Sequence, residues 1–271
     1  MPSVVEAALA RHRVLVLGAL IVLAALAWAW LVSGAGTGMR PLVSLVPSSS
    51  GENSMPGMDM PGAMQPDAAP WTAGRFVLTL AMWWVMMVAM MLPSAAPVIL
   101  LYARAAADGH PERRPATPSF LAGYLCAWGL FSLLATGLQF LLEAGGHLNA
   151  AAMAVRSPWL TGAVLVAAGI YQLSPVKDIC LRHCRNPAVF LSRHFRPGSA
   201  GAWRMGLLHG FYCVGCCWML MLLLFVGGVM NLAWIALLTL MVAAEKLLPF
   251  GRIVTIAGGL GCIAWGALLV F

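Results

Sequence analysis

Residues 205–226 read MGLLHGFYCVGCCWMLMLLLFV, with no Asp, Glu, Lys or Arg among them. A run this apolar matches the roughly 20 helical residues that cross a bilayer. Its reading decides the fold, because inside hydrocarbon a helix satisfies all its own backbone groups. The run also carries His209, Cys213, Cys216 and Cys217. At about 100° per residue these lie at about 0°, 40°, −20° and 80°, on one arc. Three thiols and an imidazole on one face form a soft-metal ligand set. The bland alternative is cysteine buried as a small apolar residue, with Gly206, Gly210 and Gly215 marking close helix packing. An ionisable residue such as His209 is costly at membrane depth and marks function by default, which puts the metal reading ahead.

Composition agrees when the reading moves outward. Hydrophobic residues make up 61% of the 271 and charged residues 9%, a balance foreign to soluble domains. The net charge of +7 therefore does not imply nucleic acid, since Lys and Arg mark the cytoplasmic loops of membrane proteins. Apolar runs predict seven helices, at about 14–32, 76–103, 120–142, 159–173, 205–226, 232–248 and 253–271. The first exceeds a signal-peptide core and reads as an uncleaved anchor, so residues 1–32 form one unit. Residues 33–74 are rich in Gly, Pro and Ser and read as a flexible outer loop. Residues 75–271 read as a six-helix membrane domain with a basic cytoplasmic loop at 174–203. Pro93 predicts a kink in the second helix. With the N-terminus inside, only Arg40, Arg75 and Arg156 of the 16 basic residues fall outside. The chain thus reads as an all-α polytopic bundle in the lipid bilayer, N-in and C-out. Seven cysteines, three within one helix, do not suggest a secreted disulfide framework.

Three further groups carry soft donors. The outer loop holds Met55, Met58, Met60 and Met64. Thioethers stay neutral and suit Cu(I) outside the cytosol, where thiols oxidise. The second helix carries Met82, Met86 and Met90 at i, i+4, i+8, with Met87 and Met91 beside them. Such a stripe taken alone is more often core than ligand, because Met fills gaps between helices. The basic loop carries Cys180, His183 and Cys184, which share a face if helical and could hold Cu(I) or Zn(II). Glu245-Lys246 reads as a helix-end ion pair, with Lys246 reaching for the interface.

Depth suggests how these groups connect. With Arg75 at the outer edge and Arg204 at the inner edge, Met82 falls level with Cys217 and Met90 level with His209. The second and fifth helices would then face each other as a ladder of sulfur and nitrogen donors. The ladder would run from the outer Met loop to Cys180, His183 and Cys184.

Several stretches resemble one family. They are Met82-Trp83, Ala89-Met90-Met91-Leu92-Pro93-Ser94, Gly123-Tyr124-Leu125, Tyr171-Gln172-Leu173-Ser174-Pro175, Cys180 with Cys184, His209 to Trp218, and Glu245-Lys246-Leu247. Together they resemble bacterial predicted metal-binding integral membrane proteins, a family that includes a membrane copper chaperone associated with tyrosinase. The resemblance covers roughly residues 76–270 and omits the first helix and the Met loop. It implies copper handling and delivery to a copper enzyme. The expectation is therefore a multi-pass bacterial inner-membrane protein that passes Cu(I) by ligand exchange, as chaperone or transporter, to a cuproenzyme or soluble carrier. Two rivals stand beside it. Cys213-Val-Gly-Cys216 has redox-type spacing and suits a thiol–disulfide or quinone-linked oxidoreductase. A structural assembly subunit would use its sulfurs only for packing.

Overall fold

The computed structural model describes residues 4–35, 70–108, 116–149 and 153–270. Its helices are α1 (Val4–Val32), α2 (Ala73–Asp108), α3 (Thr117–Ala144), α4 (Pro158–Gln172), α5 (Pro175–Arg185), α6 (Pro187–His194), α7 (Gly198–Leu222), α8 (Leu224–Gly227), α9 (Leu232–Leu247) and α10 (Gly251–Val270). A two-residue antiparallel bridge joins β1 (Leu148–Asn149) to β2 (Ala154–Val155). All seven helices expected from the apolar runs are present. Among the described residues, five spans are long and apolar enough to cross a membrane, within α1, α2, α3, α7 with α8, and α10. The pair α4 and α5, bent by 61°, makes a sixth by the same test.

The helices differ in what they hide. On α1, Val14, Leu15, Ile21 and Leu26 are exposed while the helix packs on α2. An apolar helix left uncovered by protein suits lipid. The tightest seam joins α3 to α7. A Cβ on Gly206 would lie 1.9 Å from the Phe120 carbonyl oxygen, and one on Gly123 would lie 2.1 Å from that of Trp203. Only glycine permits this approach, the small-residue logic of membrane helix pairs. Gly206 and Gly210 are thus packing residues, and they press the His209–Cys213 face of α7 toward Tyr124 of α3.

α2 runs through Pro93 and Pro97 as one helix. Proline removes a backbone donor. The carbonyls this frees lie four residues back, at Ala89 and Pro93. The Met91 carbonyl, two residues before Pro93, accepts bonds from Ser94 Oγ at 2.9 Å and from Tyr124 OH at 3.2 Å.

The segment 174–203, expected as a basic loop, holds two helices instead. Ser174 caps α5 by accepting from the Lys177 backbone N–H at 3.3 Å, and Pro175 occupies its first turn. Both are helix-start signals. The arginines concealed an amphipathic pattern, because charges on one face of a short helix look like loop composition. The inward face of α5 carries Lys177, Leu181, Cys180 and Cys184, and α5 packs on α7. The Met-rich segment with Met55, Met58, Met60 and Met64 lies outside the described residues.

Candidate metal centre

Cys213 lies at the junction of four helices. On α7 its thiol is buried. Its sulfur is 3.2 Å from Tyr124 OH of α3 and 3.0 Å from Lys246 Nζ of α9. Lys246 also donates to Ser94 Oγ of α2 at 3.4 Å. One turn on, the thiols of Cys216 and Cys217 both donate to the Cys213 carbonyl, at 3.0 and 2.9 Å.

Two sulfur pairs extend from there. Cys216 Sγ is 4.0 Å from Cys184 Sγ of α5, and Cys217 Sγ is 3.9 Å from Met91 Sδ of α2. Two sulfurs that share one ion through bonds of about 2.3 Å, about 120° apart, sit about 4.0 Å from each other. Each pair therefore has the spacing of two donors in a three-coordinate site, whereas two sulfurs alone on opposite sides of an ion would stand about 4.6 Å apart. Among the described residues, no three His, Cys, Asp or Glu side chains are arranged to hold one ion together. All seven cysteines are free thiols.

Cys180 approaches the same region. Its Sγ lies 2.9 Å from where a Cβ on Gly215 would stand, and Tyr171 OH donates to the Gly215 carbonyl. Gly215 thus leaves room for α5 to reach α7. Cys180 and Cys184, expected as part of a separate cytosolic group, instead pack against α7, Cys184 on the Cys216 thiol and Cys180 on Gly215. Their expected partner His183 does not join them. Its ring stacks on Tyr212 at 4.0 Å, and its Nδ1 bonds the Ile179 carbonyl oxygen at 2.9 Å. His209 is buried among Phe120, Tyr124 and Phe190, and its Nδ1 has no hydrogen-bond partner. An orphaned buried ring nitrogen calls for an explanation, and it stands one turn from Cys213.

The facing of the second and fifth helices expected for the methionine ladder is not found. α2 packs on α1, α3, α6 and α9, while α7 packs chiefly on α3 and α5, so α2 reaches α7 only through long side chains, and in a different register. Met82, Met86 and Met90 are buried, as ladder members should be. Met91, not Met82, meets Cys217, and Trp83 meets Phe225 at 5.2 Å. Both contacts set α2 about nine residues, roughly 13 Å, away from the expected level. The cause lies in the length of α2, whose apolar stretch exceeds what a bilayer needs, so either end can serve as the anchor. Arg75 was the wrong end, since the observed register brings Arg104 level with Arg204. Met82 and Met86 fall beyond the cysteine cluster, toward Phe225.

Glu245 and Lys246 also depart from expectation. They do not pair with each other, and Lys246 does not reach the interface. Adjacent helix residues diverge by about 100°. Glu245 turns to Lys177, whose Nζ is 2.7 Å from its Oε2, and accepts from Gln172 Nε2 at 2.7 Å. Lys177 also donates to Gln172 Oε1. Lys246 turns the other way, to Cys213. Sequence reasoning passed over Lys246 because a lysine near a helix end ordinarily snorkels. The available signal was a basic residue in a helix otherwise almost free of charge.

A scan against family models matches this chain to PpoB2, described as a copper chaperone, over residues 80–269. No curated protein and no solved structure matches. The matched residues include every thiol of the cluster, Met91, Tyr124, His209 and Lys246, and they span well over half of the 271. The chain belongs to the PpoB2 family of copper chaperones.

Proposed function

We propose that this chain holds Cu(I) on pairs of buried sulfurs within a bacterial inner membrane and passes it by ligand exchange to a cuproenzyme or soluble copper carrier. The observation that carries this reading is the 4.0 Å separation of Cys184 and Cys216 sulfurs on two different helices. At each station two sulfurs at this spacing leave a place for a third soft donor, and a set of two or three soft donors suits Cu(I), whereas a closed Zn(II) site needs four. Cys217 with Met91 forms the next station, and Cys213 lies between the two. Copper on two thiolates carries one net negative charge, and Lys246 is placed to balance it. His209, with its orphaned nitrogen, is a further donor on the side of Arg204. Met90, Met86 and Met82 continue outward from Met91, and Met55, Met58, Met60 and Met64 of the outer segment would capture or release the ion. This assignment takes the chain N-in and C-out. Cys180 guards the approach from α5, and His183 is a peripheral donor that must leave Tyr212 to take part.

The oxidoreductase reading draws on the Cys213–Cys216 spacing. The two readings part under strong reductant in the absence of air. The carrier retains copper there, and in a separate trial without reductant it traps no mixed disulfide with a substrate. Copper lost on reduction, together with a trapped mixed disulfide at Cys213 or Cys216, would replace the carrier with the enzyme.

A further inference from the structure

We propose that the open pocket beside Lys246 receives copper as an anionic Cu(I)–bis-thiolate complex of a small monothiol, and that this complex, not the bare cation, loads Cys213. The inference rests on the copper reading above and names the form in which the metal arrives.

The pocket has a volume of about 360 Å³ and is lined by Arg182, Arg185, Asn186, Lys246 and the α9 end at Leu247–Pro249. That volume falls in the range of small-molecule sites, about 300–1,000 Å³. No carboxylate lines it. Arg182 is paired with Asp178 at 2.6 Å, outside the lining. Arg185 donates to the carbonyls of Leu248 and Pro249 at 3.1 and 3.2 Å, which are neutral partners. Lys246 forms one wall, and its ammonium is 3.0 Å from Cys213.

The field of such a pocket is positive. It repels a monovalent cation and draws in an anion. Copper bound to two thiolates of a small monothiol, RS–Cu–SR with one net negative charge, meets both requirements. It carries the right sign, and it presents the metal to a protein thiol that can displace one ligand. Lys246 links the two spaces, because the residue that lines the pocket also bonds the receiving sulfur through its ammonium.

The exchange balances without any change of oxidation state. The Cys213 sulfur bonds copper and one RS–Cu bond breaks. The proton of Cys213 leaves with the released thiolate as RSH. A second protein thiol, Cys216 or Cys217, repeats the step and releases a second RSH. Copper then sits on two protein sulfurs with one net negative charge, as it arrived, and Lys246 balances that charge in the new position.

The test compares two donors on the purified full-length chain in detergent without air. One donor is Cu(I) held by two molecules of cysteine, an anion; the other is Cu(I) in acetonitrile, a cation. Initial loading is read as copper per chain after rapid desalting. Arg185→Gln should slow loading from the anionic donor by about tenfold and leave loading from acetonitrile unchanged or faster. If Arg185→Gln does not fold, Arg182→Gln and the native chain still decide. On the native chain, added salt should slow the anionic donor alone, since salt screens the attraction. Equal slowing of both donors, or no change with either, would overturn the proposal. A native chain that takes copper from neither donor would overturn the copper reading itself, a different result from a chain that loads without regard to donor charge.

Discussion

Lys246→Met is expected to empty the copper site while the protein still folds. Lys246 Nζ lies 3.0 Å from Cys213 Sγ, and the residue is buried. A Cu(I) ion on two thiolates keeps one negative charge, which is costly in a low-dielectric interior unless a cation accompanies it. Met has nearly the length of Lys and fills the same space without the charge. Removing one partner of a buried hydrogen-bonded charge pair costs about 2–5 kcal/mol, so affinity should fall by at least about 30-fold. Competition with a Cu(I) chelator measures this, and thermal unfolding of the metal-free variant checks the fold. Unchanged affinity would remove Lys246 from the site.

The second large effect concerns how α5 is held. Lys177 and Glu245 are almost fully buried and joined at 2.7 Å, with Gln172 bonded to both. This triad fastens α4, α5 and α9 at one point, and α5 carries Cys184 to Cys216. Lys177→Met leaves the Glu245 carboxylate without its cation, a loss of about 3–5 kcal/mol for a broken buried pair. That is a large share of the roughly 5–15 kcal/mol that holds a typical protein. The unfolding temperature should drop sharply, and copper retained by Cys184 and Cys216 should fall with it. Lys177→Met/Glu245→Gln removes both charges and keeps a partner for Gln172, so it should recover most of the stability. A double variant as unstable as the single one would show that the charge pair is not what holds α5.

The helices were readable because their apolar runs are long and uninterrupted, as in 205–226. The same holds for the arc of His209, Cys213, Cys216 and Cys217, since helical periodicity alone fixes it. Contacts between helices were harder to read. Met91 rather than Met82 meets Cys217 because the level of α2 depends on which end is anchored, and its apolar stretch is long enough to allow either. Cys180 and Cys184 were legible as a pair but not as neighbours of Cys216, because five basic residues concealed α5 and α6 in an apparent loop. Glu245 and Lys246 misled for a related reason. Adjacent opposite charges suggest mutual pairing, whereas on a helix they point to different neighbours, and those neighbours lie far away in sequence.

The central claim is that buried sulfurs on α7 hold copper. The most direct measurement is the copper content of the purified chain loaded under reducing conditions, beside that of Cys213→Ser/Cys216→Ser/Cys217→Ser. The account predicts copper that survives desalting in the native chain and is lost in the triple variant, with both proteins folded. Equal copper in the two would place the metal elsewhere, and none in either would leave the thiols to packing or redox chemistry.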